Sequence, residues 1–203
     1  MIANKIFMNV GDVKLDHSLS TKKVLADSLK QLMNKVPLNK IIVQNIVDNC
    51  ELNRQTFYYH FQDVFELLGF IYKTEAVESI SEYKSYNTWE DGFYKIFIYI
   101  EKNMDFCLNT FNSIGRDHLE TYLYSVTYEL LIGVVNEVSY NMRIKEEDKK
   151  FIANFYSLAF LSLVIQWMKN GMKEKPEVII KNLSQLLEGT FAKALQTYEK
   201  KLR

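Results

Sequence analysis

Between Val43 and Phe61 the chain carries two short helical patterns separated by only three or four residues, and this spacing constrains the fold more than any other stretch. Val43, Ile46 and Val47 fall on one face of the first pattern, Phe57 and Phe61 on one face of the second, and Leu52 is the apolar plug between them. Asn53 stands where the second helix needs an N-cap. Left exposed on that helix are Arg54, Gln55, Thr56, Tyr58, Tyr59 and His60, a surface rich in hydrogen-bond donors and free of carboxylates. A helix-turn-helix of this kind is expected to read DNA through its second helix. Arg54 and Gln55 are the base-reading candidates, since arginine pairs bidentately with guanine and glutamine with adenine. Thr56, Tyr58, Tyr59 and His60 are the phosphate and groove-wall candidates. Gln44 and Lys40, just upstream, complete the expected DNA-binding set.

The rest of the chain reads as helices. With 48% hydrophobic residues, two prolines and seven glycines in 203 residues, disordered and turn-rich architectures are excluded in favour of long uninterrupted helices. Residues 1–17 show no sustained period and are expected to form a flexible arm. Ser20 is expected to cap a helix over 21–35 with an apolar stripe of Val24, Leu25, Leu29, Leu32 and Met33. This gives a three-helix head over 18–62 and a helical body over 63–203. Within the body, Asp63 caps a helix reaching about residue 83. Helices over 89–104, 105–111 and 119–140 follow. Net charge is zero overall, yet from Ser20 to Phe61 six basic residues face Asp27, Asp48 and Glu51, a local excess of +3 that suits DNA contact by the head alone.

The last two helices differ in kind. Over 147–170 apolar residues cover nearly the whole circumference, and a helix apolar all round must be buried all round. Gly171 ends it, and Pro176 opens a continuous helix over 176–198 with a single apolar stripe. One chain is too small to hide every apolar face, so a homodimer is expected, with Phe160, Val164, Trp167, Leu183, Leu187 and Phe191 in the interface. The run Phe155 to Met168 falls short of the ~18 residues a membrane span needs, so no membrane association is expected. Cys50 and Cys107 lack any paired spacing, which points to two free thiols in a reducing cytoplasm.

At Arg54-Gln55-Thr56-Phe57-Tyr58-Tyr59-His60-Phe61, followed by an acidic residue and Glu66-Leu67-Leu68, the chain resembles the recognition-helix signature of the TetR family of bacterial transcriptional regulators. Three positions depart from that pattern: Ile42 in place of a Thr or Ser cap, Glu51 in place of a turn glycine, and Val64 in place of a phosphate-contacting lysine. The segment Trp167 to Met172 with Pro176 is similar to a TetR subgroup that includes activators of dihydroxyacetone kinase operons. The resemblance implies an all-α homodimer with a helix-turn-helix head, a palindromic double-stranded DNA operator, and a C-terminal body controlled by a small-molecule effector or a protein co-regulator. It also implies an effector pocket between the helices behind the head, for which Trp89, Phe93, Phe97, Tyr122, Tyr128, Phe155 and Tyr156 are candidates; single aromatics at helical spacing are more often plain core.

No enzymatic constellation can be assembled, and no cofactor is expected. His17, His60 and His118 are never at metal-ligand spacing, and no phosphate-cradling glycine loop or nucleophile elbow is present. Asp117, His118 and Glu120 form a compact polar cluster that reads as a solvated helix start rather than a metal site. The rival to a DNA-binding regulator is an all-α adaptor that keeps a helix-turn-helix without touching DNA.

Overall fold

The computed structural model describes residues 10–80, 83 and 85–200. Among them there is no strand, and every regular element is a helix. It separates into two compact units, the first up to Ile71 and the second from Tyr72 onward.

The first unit contains α1 (Val10–Met33), a 3-10 turn (Leu38–Lys40), α2 (Val43–Asn49), α3 (Arg54–His60) and the opening turns of α4 (Val64–Ile80). The expected arm lies outside the described residues as far as residue 9, and from Val10 the backbone is already helical. After Gly11 neither glycine nor proline interrupts the sequence up to Met33, so the helix extends by one backbone bond per residue through Ser20 instead of starting there. Leu25, Leu29, Ile46, Val47, Phe57, Leu67 and Leu68 close the small core. A buried polar tie fixes α1 against α2: Ser28 Oγ donates to the Ile46 carbonyl at 2.7 Å and accepts from Asn49 Nδ2 at 3.1 Å. Asp63 Oδ1 caps α4 by accepting from the backbone N–H groups of Phe65 and Glu66, both at 2.8 Å.

The second unit contains the remainder of α4, then α5 (Trp89–Lys102), α6 (Met104–Phe111), α7 (Arg116–Val138), α8 (Glu146–Lys169), α9 (Pro176–Leu187) and α10 (Thr190–Lys200). The longest pair, α7 and α8, pack along each other, and α5 lies against both α7 and α9. At Gly92 the approach of α5 to α7 is so close that a Cβ would stand 2.2 Å from Leu130 Cδ1. The helix expected to run unbroken over 176–198 is two helices. Its break falls at Gly189, whose φ of 71° is a left-handed conformation that a helix cannot contain.

By length and composition alone, α8 is among the described residues the one helix that could cross a bilayer, the 24-residue element extending beyond the run Phe155–Met168, a test that a core helix also passes. Less than half of its apolar window is buried within the chain, so one side of α8 is left to be covered.

Candidate nucleic-acid interface

The interface starts with how α2 ends. Leu52 N–H donates to the Val47 carbonyl at 2.9 Å and Glu51 N–H reaches the Asp48 carbonyl at 3.5 Å, the pair of bonds that closes a Schellman turn. Such a turn places one residue in the left-handed region, and here it is Glu51, at φ 56°. The expected turn geometry is therefore kept without the glycine. The chain leaves the turn extended at Asn53, whose Oδ1 accepts from Thr56 N at 2.8 Å and from Thr56 Oγ1 at 3.1 Å, capping α3. At the start of α2 the missing Thr or Ser cap has a partial substitute: Asn45 Oδ1 reaches back to accept from Ile42 N at 2.9 Å. Sequence reasoning missed Asn45, although an amide three residues into a helix is the reciprocal half of a capping box.

Phe57 is fully buried and anchors α3 in the core, so the opposite face is turned outward. On it Arg54, Gln55, Tyr58 and Tyr59 are exposed, with Tyr59 at 82% exposure the most open of the large side chains there. Arg54 and Tyr58 are already paired: Arg54 Nη2 donates to Tyr58 Oη at 3.2 Å, and the guanidinium lies 5.7 Å from the ring centroid. Thr56 is occupied by the Asn53 cap. His60 is half-buried and packs edge-on against Tyr59 at 4.9 Å. Burial, and secondarily the charge of Lys22, lower its pKa, so the imidazole is neutral near neutral pH. Lys22 itself sits over the rings of Phe61 and Phe70 at 5.8 and 5.7 Å. Lys40 is exposed, whereas Gln44 is tied within its own helix by a bond to Asp48 Oδ1 at 2.6 Å. Val64 is buried, which suits core packing in place of a backbone-contacting lysine.

In the second unit the expected interface residues turn inward. Phe160, Val164, Trp167, Leu183, Leu187 and Phe191 are all buried within one chain. Phe160 stacks on Phe93 at 3.8 Å, and Trp167 packs edge-on against Phe97 at 4.9 Å while its indole N–H donates to the Glu174 carbonyl at 2.8 Å. An all-round apolar helix cannot reveal from its sequence which side its own chain will take. The side left open carries Phe151, Phe155 and Leu158, spaced by four and three residues and 48–60% exposed. Val178 and Leu186 are open on α9, and between α8 and α9 runs a groove of about 1020 Å³ whose lining mixes apolar side chains such as Leu163 and Ile179 with polar and charged ones such as Gln166, Lys173, Glu174 and Asn182.

The aromatic effector candidates do not converge on one place. Trp89, Phe93 and Phe97 belong to the apolar core with Phe160 and Trp167. Tyr128 stacks on Tyr124, Phe155 is exposed, and Tyr156 packs on Phe191. Only Tyr122 enters a polar interior, with Tyr72, Glu75, Tyr99 and Thr110, of which Glu75, Tyr99 and Thr110 were not foreseen. The spacing of Tyr72 and Glu75, three residues apart on one helix face, was the available signal. Arg116 engages Glu120, and among the described residues no group of three or more His, Cys, Asp or Glu side chains is placed to hold a metal ion.

Comparison with known proteins bears on these features. Residues 87–189 match a family model described as the C-terminal region of a transcriptional regulator, TetR_C_8. The chain is 25% identical over 162 residues to the HTH-type dhaKLM operon transcriptional activator DhaS of Lactococcus lactis subsp. lactis (strain IL1403), covering 78% of this chain and 85% of the relative. Among solved structures, the dihydroxyacetone kinase operon activator DhaS shares the fold with a TM-score of 0.66 at 22% identity, covering 88% of this chain and 98% of that one. Reduced NemR of E. coli does so at a TM-score of 0.50 and 11% identity, with 82% and 97% covered.

Proposed function

Since this chain belongs to the TetR family of transcriptional regulators, we propose that it acts as a cytoplasmic homodimer that docks α3 of each protomer in the major groove of a palindromic operator. The observation that carries this reading is the outward face of α3. Arg54, Gln55, Tyr58 and Tyr59 are open to solvent there, no carboxylate interrupts them, and a Schellman turn and an Asn53 cap fix the helix start. Helix N-terminal residues of this kind reach base edges, while hydroxyls and lysines such as Tyr58, Tyr59 and Lys40 grip phosphates. Because Arg54 is held against Tyr58 in the free protein, part of the entropy of ordering its side chain is spent before DNA arrives.

The homodimer reading rests on the open faces of α8 and α9. Phe151, Phe155, Leu158, Val178 and Leu186 are exposed apolar side chains, beside a groove of mixed polarity, that a second copy would cover by two-fold symmetry. Body control by a bound effector follows from the family, and the relative that activates an operon makes the genes flanking this one the first place to seek an operator. The function is binding and not catalysis.

Gel-shift titration at fixed salt tests the proposal. Wild type should bind DNA upstream of its own gene or an adjacent operon more tightly than random DNA. Arg54→Ala should lose about 1–3 kcal/mol per base contact and relax preference at one position in each half-site. Equal binding to all fragments would refute the regulator reading and favour a protein-binding adaptor.

A further inference from the structure

Buried polar groups are almost always hydrogen-bonded, so an exception asks for an occupant. In the second unit the phenols of α4, α5 and α7 gather around one such exception. Tyr72 Oη donates to Thr110 Oγ1 at 2.9 Å, and Thr110 in turn donates to the Phe106 carbonyl at 3.0 Å. Tyr99 Oη donates to the Glu75 carboxylate. Both of these phenols have committed their protons. The ring of Tyr122 lies 5.0 Å from Tyr72 and 5.5 Å from Tyr99, and the residue is 5% exposed. Its hydroxyl alone, among the buried side-chain nitrogen and oxygen atoms of the described residues, has no partner. A phenylalanine would fill the same space without that desolvation cost.

We infer that Tyr122 is the reading residue of an effector site, donating its hydroxyl proton to an oxygen acceptor on a compact, uncharged carbonyl or hydroxyl compound held beside Tyr72 and Tyr99. The inference rests on the effector-controlled reading above and specifies its ligand chemistry. The acceptor requirement follows from the free phenol proton. Neutrality follows from Glu75, whose carboxylate accepts the proton of Tyr99 beside the Tyr122 ring, so an anion placed there would lose its hydration next to an existing carboxylate. Compactness follows from the neighbours, since Tyr72 and Thr110 are at most 1% exposed. Tyr72 and Glu75 both belong to α4, the helix that begins in the first unit, so a ligand that competes for their hydrogen bonds acts on that helix directly.

The test uses the full chain, thermal-shift titration and four probes at millimolar concentration: hydroxyacetone, acetamide and glycerol as neutral ligands, and pyruvate as an anion of similar size. At least one neutral probe should raise the melting temperature of wild type while pyruvate does not. Tyr122→Phe should fold and bind operator DNA as wild type does, yet lose about tenfold in probe affinity. Tyr128→Phe, on the same helix outside the cluster, should keep the full response. A wild type indifferent to all three neutral probes overturns the inference. So does an equal response to pyruvate, or an undiminished response in Tyr122→Phe, which would mean that water satisfies the hydroxyl. Operator binding measured alongside separates the two levels: its loss in wild type removes the regulator reading, whereas its persistence with a failed probe response removes only the ligand assignment.

Discussion

Replacing Glu51 by glycine should stabilise the first unit. Glu51 is held at φ 56° by the turn that ends α2. A residue with a Cβ in the left-handed region costs about 1–2 kcal/mol. Glycine relieves that cost but enlarges the conformational freedom of the unfolded chain, which offsets about 0.5–1 kcal/mol. The net gain is about 0.5–1 kcal/mol. Glu51→Ala, which keeps a Cβ, should stay close to wild type. The same molecule supplies a reciprocal control, because α8 ends in the same motif: Met172 N–H donates to the Trp167 carbonyl and Gly171 N–H to the Met168 carbonyl, both at 3.0 Å, with glycine at φ 75°. No packing blocks a side chain there, the nearest atom to a Cβ being Lys173 Cε at 4.0 Å, so Gly171→Ala should lose about 1 kcal/mol from conformation alone. Urea unfolding followed by circular dichroism and by tryptophan fluorescence distinguishes the units, since Trp89 and Trp167 both lie in the second. An unchanged or lowered midpoint for Glu51→Gly, or no loss for Gly171→Ala, would refute the reasoning.

Gly92→Ala should destabilise the second unit by about 1–3 kcal/mol, because its Cβ would overlap Leu130 Cδ1 and press on Tyr83 Cβ; tryptophan-monitored unfolding measures it. If the proposed dimer forms through the open faces of α8 and α9, Phe155→Glu with Leu186→Glu should give a folded monomer in sedimentation equilibrium where wild type sediments as a dimer, whereas the buried Phe160→Glu should unfold the chain. Tyr58→Phe should weaken operator binding and also blunt the preference read by Arg54, since it removes the hydroxyl that holds the guanidinium; gel shifts on matched and mutated operators measure both. The His60 pKa is depressed in the folded state, so its stabilisation is complete above the unfolded value near 6.5 and is lost as pH falls below it; His60→Gln should flatten that part of the stability profile.

Local chemistry determined the head from sequence alone. A cap at Asn53, a plug at Leu52 and anchors at Phe57 and Phe61 act within a few residues of one another, so the helix-turn-helix and the open face of α3 are legible in the order of the residues themselves. The positive φ of Glu51 is what the resemblance implies, since the TetR turn usually carries glycine at that position, and the Schellman bonds account for it. Apolar periodicity likewise determined that the body is helical. Tertiary structure decided which apolar surface faces inward. Phe160 and Phe155 are indistinguishable in a helix apolar all round, and the presence of Phe93 and Trp89 opposite Phe160 buries it while Phe155 stays open. Tertiary structure also decided that Tyr122 meets Tyr72 and Tyr99 while Trp89 packs on Phe93 and Phe97 on Trp167. The physical reason is the range of the interactions: caps and turns depend on residues within one helical turn, whereas a buried hydroxyl finds or lacks its partner across four helices that the sequence places up to 50 residues apart.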